Sequence, residues 1–171
     1  MRRFLPLLLG ATLLAFVLPG AVAANPAAIY TKAITGTTDV ANQTFNGTLA
    51  VSRVVSRNGE LVALGTVTGS VTDGVGGIVQ TVNESVALPV TITQATCSIL
   101  VLDLGPLDLH LLGLVIHLNA VHLDIHAESG PGNLLGNLLC AVAHLLDGTG
   151  PLGAIAGLLN QILAILQGLG L

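Results

Sequence analysis

The chain has 171 residues, of which 52% are hydrophobic and only 8% are charged, whereas ordinary soluble proteins carry roughly 25% charged residues. Its formal net charge is −4, and the part that follows Arg2 and Arg3 holds three basic residues against nine acidic ones, so nucleic acid and anionic lipid are poor partners. The chain has no Trp, one Tyr and three Phe, which excludes stacking platforms for sugars or bases.

A cleavable export signal is predicted over residues 1–23. It has a positively charged start, an apolar uncharged run over residues 4–19, and small residues at the spacing of a signal peptidase site in Ala21-Val22-Ala23. Cleavage is expected after Ala23, with Ala24 as the alternative. A retained membrane anchor is the competing interpretation, but the apolar run is short for a bilayer span. We therefore predict a secreted protein of the extracellular space or cell envelope.

Residues 24–129 are predicted to form a β domain, because they are rich in Val, Thr, Ile and Leu with period-two alternation. Asn58-Gly59 favours a tight hairpin turn, since both positions accept positive φ. No strand–helix alternation occurs, which disfavours a doubly wound parallel sheet. The predicted class is mainly β, an antiparallel β-sandwich or barrel of about seven or eight strands. The strands are expected near residues 28–36, 44–55, 60–72, 78–92, 97–104, 106–111, 114–119 and 120–127.

Residues 130–171 change to Leu, Ala, Gly and Asn at helical spacing, which predicts a C-terminal helical hairpin packed on the β domain. The two helices are expected over residues 133–147 and 152–167. Each has a Leu-rich face, and these faces are predicted to form a hydrophobic interface that packs, self-associates or holds an apolar ligand. The interface residues are Leu134, Leu138, Leu145, Leu158, Ile162 and Leu166.

The uncharged stretch over residues 148–171 leaves two membrane alternatives open. It is just long enough to span a bilayer, and it could also lie on a membrane surface. Gly153 and Gly157 match the small-residue spacing of helix contacts in membranes. Asn160, Gln161 and Gln167 argue against a spanning helix, so packing within the domain is favoured and membrane-surface contact is not.

Cys97 and Cys140 are the two cysteines of the chain. An even pair in an exported chain predicts one disulfide, and the loop of about 43 residues that it closes would stabilise the fold by roughly 4 kcal/mol. Two buried free thiols are the alternative. Cys140 also lies four residues before His144 on the predicted helix, a weak nucleophile–base arrangement that a disulfide would consume.

Histidines and carboxylates alternate near the end of the β domain. His122, Asp124 and His126 share one face of a predicted strand, and His110 lies on an earlier strand. Imidazoles and a carboxylate at this spacing could ligate zinc or a similar ion. The alternative is that they form the solvent face of strands whose other face is core. The sequence does not indicate which other side chains would complete a set of four metal ligands.

The run from Leu104 to Asp147 resembles a family of uncharacterised exported bacterial proteins, mainly actinobacterial. The shared features are a Cys before an apolar strand, an LGPLxLxLLGL segment, a VxLDIxA strand and a GNLLGNLLC helix, which correspond here to Cys97, residues 104–114, 121–127 and 132–140. The resemblance supports the pairing of the cysteines and brings no established activity, cofactor or catalytic residue. Position 110 is His here and Asn in that pattern, so the resemblance argues against metal binding as a shared property of the family.

No catalytic constellation emerges from these patterns, so a non-enzymatic role without a cofactor is predicted. The leading hypothesis is a secreted binding or association module in the cell envelope or extracellular space. One alternative is a carrier of a small, lipid-like apolar ligand held between sheet and helices. The other is a metal-binding domain that uses the strand histidines.

Overall fold

The computed structural model describes residues 27–148 and 150–170. The export signal predicted over residues 1–23 lies outside the described residues. Within them the chain forms eight strands followed by two helices. These elements are β1 (Tyr30–Thr38), β2 (Thr44–Arg57), β3 (Glu60–Thr72), β4 (Ile78–Ala95), β5 (Ile99–Leu104), β6 (Leu107–Leu111), β7 (Leu114–Leu118), β8 (Val121–His126), α1 (Leu134–Asp147) and α2 (Leu152–Gly168).

All eight strands belong to one antiparallel sheet with the order β6-β7-β1-β2-β3-β4-β5-β8. The sheet curls into a half-barrel, and the helical pair follows it in the chain. The mainly β class, the number of strands and the C-terminal helices predicted from the sequence are therefore confirmed. Because the strands form a single curled sheet, the barrel is the nearer of the two predicted architectures.

Strict alternation builds the first hairpin of the sheet. In β2 the side chains of Phe45, Leu49 and Val51 are buried on the concave face, while Asn46, Thr48 and Ala50 between them point outward. At the predicted Asn58-Gly59 turn, φ is 53° and 83°, as a two-residue hairpin link requires. Arg57 of β2 accordingly pairs with Glu60 of β3.

Phe45 is accommodated by a pair of glycines that face each other across β2 and β3. Gly47 pairs with Gly69, and the Phe45 ring lies over both. A Cβ atom at position 69 would meet the backbone of Asn46 and Gly47 on β2 and would lie 2.7 Å from the ring carbon Cζ, so a larger residue there would displace both the paired strand and the ring. Because Phe45 is fully buried, the row formed by Gly47 and Gly69 must keep small residues to leave room for its ring.

Helix α2 fills the concave side of the sheet. Its residues Ile155, Leu159, Ile162, Leu163 and Leu166 are buried, and the helix contacts β1, β2, β3 and α1. Residues 152–169 are long and apolar enough to cross a membrane by length and composition. Their buried apolar side chains pack against the core of this chain, because a half-barrel of alternating strands leaves one apolar face to be covered.

Two side-chain amides attach α2 to strand edges that have no neighbouring strand. The β1–β2 pairing stops at Tyr30 and Val51, so the edge of β2 beyond this point is free. The side chain of Asn160 accepts a hydrogen bond from the Val54 N–H (2.5 Å) and donates one to the Val54 carbonyl (2.9 Å). In the last turn of α2, the side-chain Oε1 of Gln167 accepts a hydrogen bond from the Thr31 N–H of β1 (2.8 Å). Both amides therefore satisfy backbone groups that the sheet leaves unpaired.

The predicted disulfide between Cys97 and Cys140 is confirmed. It joins the turn between β4 and β5 to the middle of α1, and so attaches the helical pair covalently to the sheet. Gly136 of α1 is buried against the backbone of Glu128 and Ser129, where a Cβ atom would lie 2.6 Å from the Ser129 nitrogen. A disulfide is compatible with an oxidising extracellular environment.

Candidate functional site

The histidines predicted to bind metal lie on separate parts of the solvent face. His122, Asp124 and His126 are exposed on β8, whose alternate residues are core. His110 is exposed on β6, at the opposite end of the strand order from β8. Among residues 27–148 and 150–170, no three of these four side chains bring their ligand atoms within 4.8 Å of one another.

Two of the histidines of the β region are instead paired with aspartates across neighbouring strands. His122 Nδ1 contacts the Asp103 carboxylate, and the two residues are directly opposite in the β5–β8 ladder. His117 Nδ1 lies 2.8 Å from Asp108 Oδ1 in the same relation across β6 and β7. Because His117, Asp108 and His122 are exposed and Asp103 is partly exposed, each pair contributes little to stability. The strand register therefore places His117 and His122 in separate histidine–aspartate pairs and does not gather the polar residues into one set of metal ligands.

The Leu-rich interface predicted on the helices is largely used inside the chain. Leu138, Ile162 and Leu166 are buried in the core, whereas Leu145 and Leu158 are partly buried. Leu134, in the first turn of α1, is 62% exposed. The helices therefore offer solvent a face different from the one that the sequence pattern singled out.

A β-bulge in β2 changes what the outer face of the sheet presents. The pairing with β3 shifts between Val51 and Arg53, so Ser52 is an extra residue on the β2 side. Val51 and Val54 are both buried, and the two residues between them, Ser52 and Arg53, both lie on the outer side. The Ser52 hydroxyl donates a hydrogen bond to the Leu64 carbonyl of β3 (2.9 Å), which holds the bulge in place. Bulges commonly redirect side chains in this way next to binding sites.

A depression of about 550 Å³, open to solvent, lies on the outer face at this bulge. It is bounded by β2, β3, β4 and the segment that precedes β1. Its apolar lining consists of Ala27, Ala28, Ala50 and Leu64, and it is also bordered by Gly65 and by Val86, a residue that belongs to the buried core. Its polar lining consists of Ser52, Arg53, Thr66, Thr68 and Ser85. The depression thus combines an apolar surface, several hydroxyl groups and one cation.

Arg53 stands out electrostatically in this depression. No carboxylate lines it, and within the described ranges the ion pairs are the two His–Asp pairs, neither of which involves Arg53. The outward residues of its own cross-strand row and of the rows on either side are uncharged: Leu64, Ala87, Ala50, Thr66, Ser85, Val55, Val62 and Pro89. The guanidinium group is therefore available to an anionic ligand, with hydroxyl donors and acceptors around it.

One further cluster combines sulfur and nitrogen ligands. The Sγ atoms of Cys97 and Cys140 and a ring nitrogen of His144 all lie within 4.8 Å of one another. Cys140 and His144 are one helical turn apart on α1, as their spacing predicted. The disulfide occupies both thiols in this arrangement.

The sequence analysis did not identify Arg53 or the outer depression. A signal was present, because the alternation of β2 breaks at Val51-Ser52-Arg53-Val54, where two polar residues separate two apolar ones. Such a break in period two is typical of a β-bulge. The contribution of β3 and β4 to the lining depends on register across three strands, which a single sequence does not reveal.

Comparison with known proteins gives no relative from which a role could be transferred. No protein-family model, no curated protein and no solved structure matches the chain.

Proposed function

We propose that this chain is an exported, non-enzymatic binding module that holds a small amphipathic anion in the outer depression beside Arg53. The observation that carries the proposal is the β2 bulge, which directs both Ser52 and Arg53 to the outer face. Without the bulge, strict alternation would turn one of these two consecutive residues toward the core.

The lining defines the chemistry of the ligand. The alanines and Leu64 favour an apolar body, and the Arg53 guanidinium favours one carboxylate or phosphate group. The hydroxyls of Thr66, Thr68 and Ser85 can hydrogen-bond a polar head group. A volume of about 550 Å³ lies within the usual range of small-molecule sites, about 300–1,000 Å³. Because the depression is open to solvent, we expect moderate rather than tight binding.

The outer face is favoured over the space between sheet and helices as the ligand site. That space is filled by fully buried side chains, among them Phe45, Leu159 and Ile162. A non-enzymatic role is supported by the chemistry of the lining, which contains no histidine, cysteine or carboxylate. The Ser52 hydroxyl is already used as a donor to the Leu64 carbonyl, and no base lines the depression to activate it.

Titration of the ¹⁵N-labelled protein with octanoate, followed by NMR amide shifts, tests this proposal. We expect shifts in residues that line the depression, and much weaker effects from the neutral isostere 1-octanol. Arg53→Gln should weaken octanoate binding about tenfold, since the loss of one charge-assisted contact costs about 1.4 kcal/mol. Arg57→Gln is the matched control, because Arg57 is an exposed arginine of the same strand outside the lining.

Two results would count against the proposal. One is equal binding of octanoate and 1-octanol, which would remove the role of the cation. The other is a set of octanoate-induced shifts that lies outside the depression and is the same in the Arg53→Gln and Arg57→Gln variants.

Self-association through α2 is a second candidate role, favoured by the uncharged exposed face of that helix. Gly153, Ala154, Gly157, Gln161 and Ala164 are exposed on it, and nothing lies within 4 Å of where a Cβ atom at Gly153 or Gly157 would be. Sedimentation analysis of the wild type and of Gly157→Glu tests this role. A wild-type dimer that becomes a monomer in the variant would support self-association, whereas a monomeric wild type would contradict it.

A further inference from the structure

The turn between β4 and β5 presents Cys97 to α1 in a fixed position. The Thr96 hydroxyl accepts hydrogen bonds from the Ser98 N–H (3.3 Å) and the Ile99 N–H (2.9 Å), which shape the turn around Cys97. On α1, Cys140 and His144 are separated by one turn, so that both face Cys97. The two sulfur atoms and the imidazole nitrogen are all within 4.8 Å of one another, and this is the one such group of three that the described part of the chain contains.

We infer that these three residues form a redox-gated zinc site. Two thiolates and one imidazole are ligands that Zn²⁺ prefers, and three protein ligands leave the fourth tetrahedral position to water. His144 is exposed and both cysteines are half-buried, so the metal and a water molecule can reach the cluster. In the oxidised protein the disulfide holds both sulfur atoms, and the site is closed to metal.

The gating step is a thiol–disulfide exchange that balances with an external dithiol as reductant. The dithiol transfers two electrons and two protons, its own sulfurs form a disulfide, and the bond between Cys97 and Cys140 is replaced by two thiols. Binding of Zn²⁺ then displaces the two thiol protons to solvent, while neutral His144 contributes a lone pair. The metal thereby takes the place of the covalent link between the β4–β5 turn and α1. This inference does not depend on the ligand proposed for the outer depression.

Cobalt titration of the reduced protein tests the site, because Co²⁺ replaces Zn²⁺ and gives a thiolate charge-transfer band. The full chain is reduced with a phosphine, freed of reductant under nitrogen, and titrated with Co²⁺ and then Zn²⁺. We expect one Co²⁺ per chain in the reduced protein, its displacement by Zn²⁺, and no thiolate band in the oxidised protein. Zinc should also raise the melting temperature of the reduced protein, since a ligand that binds the folded state stabilises it.

His144→Ala identifies the third ligand, and His110→Ala is its control because His110 is an exposed histidine of β6, at the other end of the strand order from β5, and is not a member of the cluster. The His144 variant should bind Co²⁺ at least about tenfold more weakly, whereas the His110 variant should match the wild type. Equal Co²⁺ affinity in the wild type and His144→Ala would overturn the inference, as would the absence of a thiolate band in the reduced wild type. If reduction alone unfolds the chain, zinc-induced recovery of the circular dichroism spectrum replaces the melting measurement, and its absence would overturn the inference equally.

Discussion

Replacement of Asn160 by alanine probes how α2 is attached to the sheet. The substitution removes two hydrogen bonds to the Val54 backbone, of 2.5 Å and 2.9 Å, and leaves that N–H and C=O without a neighbouring strand. Two net hydrogen bonds contribute about 1–3 kcal/mol, and the buried groups left unpaired add about 1 kcal/mol or more. The better helix propensity of alanine returns roughly 0.5 kcal/mol. We therefore expect Asn160→Ala to lower the free energy of unfolding by about 2–3 kcal/mol.

Urea unfolding followed by circular dichroism measures this loss. With a denaturant slope of about 2 kcal/mol per molar, the midpoint should fall by about 1–1.5 M. Gln161→Ala is the matched control, because Gln161 is the next residue on the helix, is exposed, and has no side-chain partner among the hydrogen bonds of the described ranges. The control should stay within about 0.5 kcal/mol of the wild type. A similar midpoint for the Asn160 and Gln161 variants would refute the attachment of α2 through its amide.

Three further perturbations test other parts of the fold. Burial raises the pKa of Tyr30 above its ordinary value, so the contribution of this residue to stability should be fully present below about pH 10 and be lost as the pH rises further. Tyr30→Phe should remove this part of the alkaline loss, and because Tyr30 is the only tyrosine of the sequence its absorbance titration can be assigned to it. Replacing both Cys97 and Cys140 by serine should cost about 4 kcal/mol in chemical unfolding, whereas a change below about 1 kcal/mol would mean that the bridge does little for the fold. Gly136→Ala should lower the free energy of unfolding by about 1–3 kcal/mol, because the added Cβ meets the backbone of the preceding loop. Gly157→Ala, at an open helical position, should raise it by about 0.5–1 kcal/mol. Changes of the same sign for both variants in thermal unfolding would contradict the packing of α1.

The elements of this fold could be predicted because each depends on nearby residues. Period-two alternation defines the strands, and Asn58-Gly59 specifies its hairpin through the positive φ of both residues. The disulfide could be predicted from the even number of cysteines. Helix α2 followed from Leu and Ile at helical spacing, which is the face that the half-barrel buries.

The features that shape the candidate site depend on contacts distant in sequence. Asn160 and Gln167 looked like ordinary polar positions of a helix surface, yet they bond strand edges 106 and 136 residues away. The histidine of β8 was grouped with its neighbours along the strand, whereas the register with β5 pairs it with Asp103. The outer depression needs three strands in register and a bulge at Ser52, so its outline could not be derived from alternation along one strand.

The proposed ligand site at Arg53 can be tested most directly on protein taken from its own host. Native mass spectrometry of the wild type should reveal a bound anion with an apolar body, and the same adduct should be present in Arg57→Gln and absent from Arg53→Gln. The assignment of this depression as the binding site would be contradicted by an adduct of unchanged mass and occupancy in the Arg53→Gln protein. It would also be contradicted if the wild type carried no adduct and the folded protein did not bind octanoate.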